Sequence, residues 1–106
     1  MCILFALDCY RKRDKGHSYR GNISTTVNGR TCQRWDVETP FNPLPKNKNS
    51  SNHPDGNINH NYCRNPKESL QVKPWCYTTD PEKRFETCDV PLCGSSKYIV
   101  ICNQLY

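Results

Sequence analysis

Apolar residues in this chain come singly rather than as faces. Between Cys9 and Cys93 the large aliphatics and Phe number eleven, from Ile23 to Leu92, and they hold neither a helical nor an alternating period over any length. Turn chemistry separates them: Asn28-Gly29, Asn42-Pro43, Leu44-Pro45, His53-Pro54-Asp55-Gly56, Asn65-Pro66, Lys73-Pro74 and Asp80-Pro81. Two short strands are expected, Pro74 to Thr78 and Arg84 to Cys88. They flank Thr79-Asp80-Pro81-Glu82, read as a turn with Pro as its third member, and would pair as a small hairpin. The nearly all-polar run from Asn47 to Asn61 reads as a long surface loop. Continuous apolar runs occur only near the ends, Ile3 to Leu7 and Tyr98 to Ile101, adjoining Cys2 and Cys102 respectively.

A chain of 106 residues is one domain, and its shortage of aliphatics, with a net charge of +5, would alone suggest disorder. Eight cysteines, two Trp and six Tyr contradict that reading. They are the composition of a small domain crosslinked because its core is thin. The cysteines by themselves leave many pairings open. Disulfides persist in oxidising surroundings, so a secreted or outward-facing protein is expected. Two sequons, Asn22-Ile23-Ser24 and Asn49-Ser50-Ser51, agree without adding much. The longest apolar run, Cys2 to Leu7, is too short for a transmembrane span or a signal peptide, so a piece of a longer protein or a truncated gene model is expected.

Catalytic chemistry is nearly absent. No Gly-x-Ser-x-Gly occurs, and no Ser, His and Asp suggest a nucleophile with its base. His17, His53 and His60 stand among polar loop residues and read as ordinary solvated histidines. No Cys-x-x-Cys is present, so neither a metal nor any other cofactor is expected.

The most informative stretch is Asn61-Tyr62-Cys63-Arg64-Asn65-Pro66, a short polar spacer, then Lys73-Pro74-Trp75-Cys76-Tyr77. Together with Ser18-Tyr19-Arg20-Gly21, Cys32-Gln33-Arg34-Trp35 and Cys88-Asp89-Val90-Pro91, it resembles the kringle domain. The resemblance runs from Cys9 to Cys93, leaving residues 1–8 and 94–106 as tails. The segment Cys76 to Phe85 is especially similar to kringles of plasminogen-like and hepatocyte-growth-factor-like proteins. It implies a small disulfide-rich fold, mainly loops with short antiparallel strands, and an extracellular binding module rather than a catalyst. It also implies the bridges Cys9–Cys93, Cys32–Cys76 and Cys63–Cys88. If Cys9 and Cys93 are bonded, the tails leave from one place. An antiparallel pair closed by Cys2–Cys102 is then reasonable, with pairing to a neighbouring domain or free thiols as alternatives.

Many kringles hold a lysine side chain on an aromatic trough between an anionic and a cationic pole. Carried over by resemblance, the trough falls on Trp75, Tyr77 and Phe85, and the cationic pole on Arg84 with Lys46 nearby. The anionic pole, an Asp-x-Asp after Arg-Asn-Pro, is replaced by Lys67-Glu68-Ser69, leaving Glu68 as its one carboxylate. The usual Pro-His-x-His gives way to Pro40-Phe41-Asn42-Pro43, and the usual Gly-Leu to Asn57-Ile58, with Ile58 expected as the buried anchor. Weak or absent lysine binding follows. Trp35 is expected in the core, and Tyr19 and Tyr62 buried with hydroxyls bonded to backbone. Trp75 could be core or ligand surface, and an exposed ligand face is expected. Arg20 and Arg64 read as structural or solvated.

Arg11-Lys12-Arg13-Asp14-Lys15 packs four cations into five residues where related loops carry a glycine-rich spacer. A sulfated glycosaminoglycan is the plausible polyanion outside the cell, against a solvated loop without a partner; nucleic acid and membrane insertion are not expected. Three readings stand in order: a protein-binding module, a heparin-binding module, and a spacer that orients neighbouring domains.

Overall fold

A computed structural model describes residues 2–6, 8–94 and 98–102, with side chains over 8–94. Among the described residues, four short strands and two single-turn 3₁₀ helices are set in turns and loops. In order they are β1 (Cys2–Ala6), the 3₁₀ turns Lys12–Asp14 and Ser50–Asn52, β2 (Trp75–Tyr77), β3 (Phe85–Thr87) and β4 (Tyr98–Cys102). The strands form two separate antiparallel ribbons, β1 with β4 and β2 with β3.

The β2–β3 hairpin pairs Trp75 with Thr87 and Tyr77 with Phe85. Its turn sits one residue later than the sequence reading placed it. The Lys83 amide bonds to the Asp80 carbonyl at 3.0 Å, which makes Pro81 the second residue of Asp80-Pro81-Glu82-Lys83. The reason is the proline ring, whose fixed φ suits the second position of a common turn and strains the third. Asp80 steadies the turn by accepting from the Glu82 amide at 2.9 Å.

Sulfur and aromatic rings fill the middle. Disulfides join Cys9 to Cys93, Cys32 to Cys76 and Cys63 to Cys88, across sequence separations of 84, 44 and 25. Loop-closure entropy assigns these about 4.6, 4.0 and 3.5 kcal/mol taken singly, overlapping rather than additive. The four sulfurs of the inner two bridges lie within 4.8 Å of one another, and Trp35, 1% exposed, belongs to the same buried cluster. The indole of Trp35 meets the rings of His53, Trp75 and Tyr77 edge-on at 5.1, 5.2 and 5.9 Å. Among the described residues Val90 is the sole aliphatic in that buried cluster, with Ile58 half-buried at its margin. Such edge-to-face contacts and buried sulfur stand in for the oily core this composition cannot build.

Buried polar side chains hold the loops in place. Asn65 donates to the carbonyls of Lys15 and Gln71 at 2.8 and 2.9 Å, and its oxygen accepts from the Trp75 indole at 3.1 Å. Gln33 donates to the Phe41 carbonyl at 2.7 Å and accepts from the Phe41 amide at 3.0 Å. Asn47 to Asn61 is therefore not the plain surface loop its polarity suggested. Asn47, Asn52, His53 and His60 in it are buried, each hydrogen-bonded to backbone or to a neighbouring side chain. Polar groups go inside when partners await them: the loop's own Asn47 and Asn57 carbonyls meet His53 and His60, and Tyr77 and Lys46 meet Asn47 and Asn52.

Two further expectations need correcting. His53 and His60 are buried ring partners of Trp35 and Tyr62, not solvated loop residues. Tyr19 is buried, donating to Asp8 at 3.1 Å and accepting from the Ile23 amide at 3.4 Å, whereas Tyr62 is only half-buried. The Tyr62 ring is stacked on His60 and faced by the Arg64 guanidinium.

The ends of the domain run side by side. Tyr10 bridges to Leu92, and β1 lies antiparallel to β4 with Cys2 opposite Cys102 in the backbone register. The proposed Cys2–Cys102 bond itself lies outside the described side chains.

Candidate functional site

Three segments remote in sequence meet over one face of the hairpin. Alternation along β2 puts Trp75 and Tyr77 on the same side, and pairing brings Phe85 of β3 beside them. The Trp75 ring lies 5.0 Å from Tyr77 and 5.7 Å from Phe85, both nearly edge-on. Leu44, Lys46 and Asn47 close one side and Ser69, Leu70 and Gln71 the other, enclosing with Arg84 a groove of about 180 Å³.

Trp75 lines this groove, but as its floor. The residue is 3% exposed, against an expectation of an exposed ligand face. Its indole nitrogen is held by Asn65 and by Ser69 Oγ at 3.2 Å, and its ring edge by Trp35 beneath. Tyr77 is equally covered, its hydroxyl accepting from the Leu44 amide at 3.1 Å and Asn47 Nδ2 at 2.9 Å. The accessible apolar surface belongs instead to Phe85, Leu44 and Leu70, exposed by 42, 46 and 89%. Leu70 was not singled out as a site residue; its signal was a Leu in the mainly polar spacer between Pro66 and Lys73, which it shares only with Val72 among apolar residues.

Charge around the groove is one-sided. Arg84 lies at its edge, with the guanidinium 5.9 Å from the Tyr77 ring, and Lys46 lines it from the other side. Glu68 does not join them. Its backbone is left-handed at φ 69°, and its carboxylate accepts from Asn52 Nδ2 at 3.1 Å, away from the groove lining. No carboxylate lines the groove among the described residues, and Lys67 is exposed outside it.

The second candidate surface is the basic loop. Arg11, Lys12, Arg13 and Lys15 are exposed, and among the described residues none of these side chains is ion-paired. Asp14, the one acid within the run, is occupied by the Gly16 amide at 2.9 Å and Ser18 Oγ at 2.5 Å. Gly16 turns the loop at φ +78°, where a Cβ would stand 2.8 Å from Pro74 Cδ. The close approach sets the loop's end against Pro74, the residue before β2.

Arg64 has a structural post. It is 2% exposed, lies 5.6 and 5.5 Å from the Tyr19 and Tyr62 rings, and donates to the Gly21 and Cys63 carbonyls at 2.7 and 2.8 Å. Asp55 faces it at 3.9 Å. Glu86, also buried, is bound by Thr26, by Asn28 at 2.8 Å and by Arg30 at 3.0 Å. These bonds, that of Thr26 first, hold its carboxyl below the usual range. The cluster of four buried cysteine sulfurs is consumed by two bridges, which leaves no thiolate there for a metal.

A sulfur-and-aromatic centre carrying an open groove on a short hairpin defines a disulfide-built binding module. The chain belongs to the kringle family: the kringle-domain family model matches residues 9–93. Kringle domains are non-catalytic modules that generally mediate protein–protein interactions, and with their disulfides they are typical of extracellular proteins. Among the described residues no helix is long and apolar enough to cross a membrane.

Proposed function

We propose that this domain, residues 9–93 between tails 1–8 and 94–106, is an extracellular protein-binding module whose contact surface is the groove over Trp75 and Tyr77. Phe85, Arg84 and Lys46 contribute the accessible contacts, and lysine side chains bind weakly or not at all. The observation that carries this reading is an apolar groove, rimmed by three exposed large side chains, with no carboxylate in its lining. An ammonium entering it meets Arg84 and Lys46 and no counter-charge. Asn22 and Asn49 are both exposed and neither lines the groove, which suits either sequon to glycosylation.

Panning a random peptide library on the oxidised chain tests the proposal. Enriched peptides should lose binding to Phe85→Ala while still folding with three bridges. Peptides indifferent to Phe85→Ala and Leu70→Ala would place the contact surface elsewhere.

A second reading rests on the unpaired basic loop: Arg11, Lys12, Arg13 and Lys15 bind a sulfated glycosaminoglycan. Retention on heparin, weakened by salt and by Arg11→Ala with Lys12→Ala, is its test. Silence in both assays leaves a spacer that orients neighbouring domains.

A further inference from the structure

We propose that the groove's occupant is an apolar segment of a partner protein that carries a carboxylate, an acidic side chain beside an aliphatic or aromatic one. This deepens the groove reading above and rests on it.

The lining supplies both halves of that recognition. Leu44, Leu70 and Phe85 stand far more exposed than the core residues they adjoin, offering apolar area that burial by a partner would stabilise. Arg84 and Lys46 sit on the same groove with no lining acid to neutralise them, and neither takes part in an ion pair among the described residues.

Ser69 adds a donor. Its Oγ accepts from the Trp75 indole at 3.2 Å and from the Gln71 amide at 3.1 Å. Its own hydroxyl proton is therefore left over for an acceptor, and a carboxylate is acceptor-only. Glu68, the nearest carboxylate by sequence, lies outside the lining with one oxygen bonded to Asn52. The net charge of +5 also favours the approach of anionic segments at low ionic strength.

Three small probes of six carbons each separate the chemistries: n-hexanoate, n-hexylamine and 6-aminohexanoate. Each is titrated into the isotope-labelled oxidised chain at fixed ionic strength, following the Trp75 indole and Phe85 ring resonances. Hexanoate should bind about tenfold tighter than hexylamine, with 6-aminohexanoate weaker than hexanoate. Arg84→Gln with Lys46→Gln, both at the groove's solvent edge, should erase that preference and leave hexylamine no weaker.

Hexylamine or 6-aminohexanoate binding as tightly as hexanoate, or no probe perturbing the groove, overturns the inference. Failure of the charge preference alone would leave library peptides dependent on Phe85 but without enriched acids. Failure of the groove reading would leave those peptides indifferent to Phe85 as well.

Discussion

Glu68 is tied to Asn52, its carboxylate accepting the side-chain amide at 3.1 Å, and this bond turns it from the groove toward the 3₁₀ turn at Ser50–Asn52. Asn52 donates at the same time to the Lys46 carbonyl at 2.9 Å. The carboxylate thus steadies the segment that carries Lys46 rather than serving a ligand. Glu68→Gln should therefore leave the affinity of any groove ligand within about twofold, since it adds no charge to the lining. Stability should fall by about 0.5–1.5 kcal/mol, because Glu68 is exposed and its bond competes with water. Denaturant unfolding and probe titration of the variant check both numbers.

Reduction should unfold the chain. Single-loop entropies of about 3.5–4.6 kcal/mol rival the ~5–15 kcal/mol by which whole domains are stable. Excess reductant is expected to collapse amide dispersion and the near-ultraviolet signal of Trp35 and Trp75. A near-native spectrum under those conditions would refute the dependence on sulfur.

Arg64→Ala is expected to cost about 2–5 kcal/mol, from lost bonds to backbone carbonyls and the space left by a buried side chain. It would orphan the Gly21 and Cys63 carbonyls and open a gap between Tyr19 and Tyr62. Arg64→Met, which keeps the stem between the rings, should lose less. Urea midpoints of the two variants measure the difference.

Acid should weaken the fold in two stages. Burial holds His53 below the ordinary histidine value of 6.5, with Arg64 acting the same way and the Asn47 carbonyl bond and Asp55 opposing. His60 is lowered by the same burial and by Arg64. The unfolded chain therefore binds these protons more readily. Their contribution is complete above 6.5 and is lost as pH falls from there toward the folded values. A second loss begins below the ordinary carboxylate values, 4.5 for Glu86 and 3.8 for Asp36, both held low in the fold. Unfolding free energies from about pH 7.5 to about pH 5.5 should decline, and His53→Gln should flatten part of that slope.

Much of the frame was legible because turn residues are local and discrete, whereas the cysteine pairing was legible only through the kringle resemblance, since eight cysteines alone leave it open. Asn65-Pro66, Trp75-Cys76-Tyr77 and the two strand segments named the hairpin before any fold was drawn. The burial of His53 and Asn52 was not legible. Polar composition reports what a loop would prefer in water, whereas their partners, Trp35, Asn47 and Lys46, come from the folded arrangement. The groove was half legible. Aromatic positions carried over, but the depth of Trp75 depends on Ser69 and Asn65 closing over its indole nitrogen. The direction of Glu68 depends on a left-handed φ that a non-glycine residue seldom announces.

The groove is walled by Leu44 and Lys46, by Ser69 to Gln71 and by Arg84 and Phe85, whereas its floor, Trp75 and Tyr77, belongs to the buried centre. Taste and skeleton therefore share two rings, and Ser69 and Phe85 touch the first of them. Re-educating the domain toward new partners would start from rim positions such as Leu70, 89% exposed, rather than from Ser69 or Phe85.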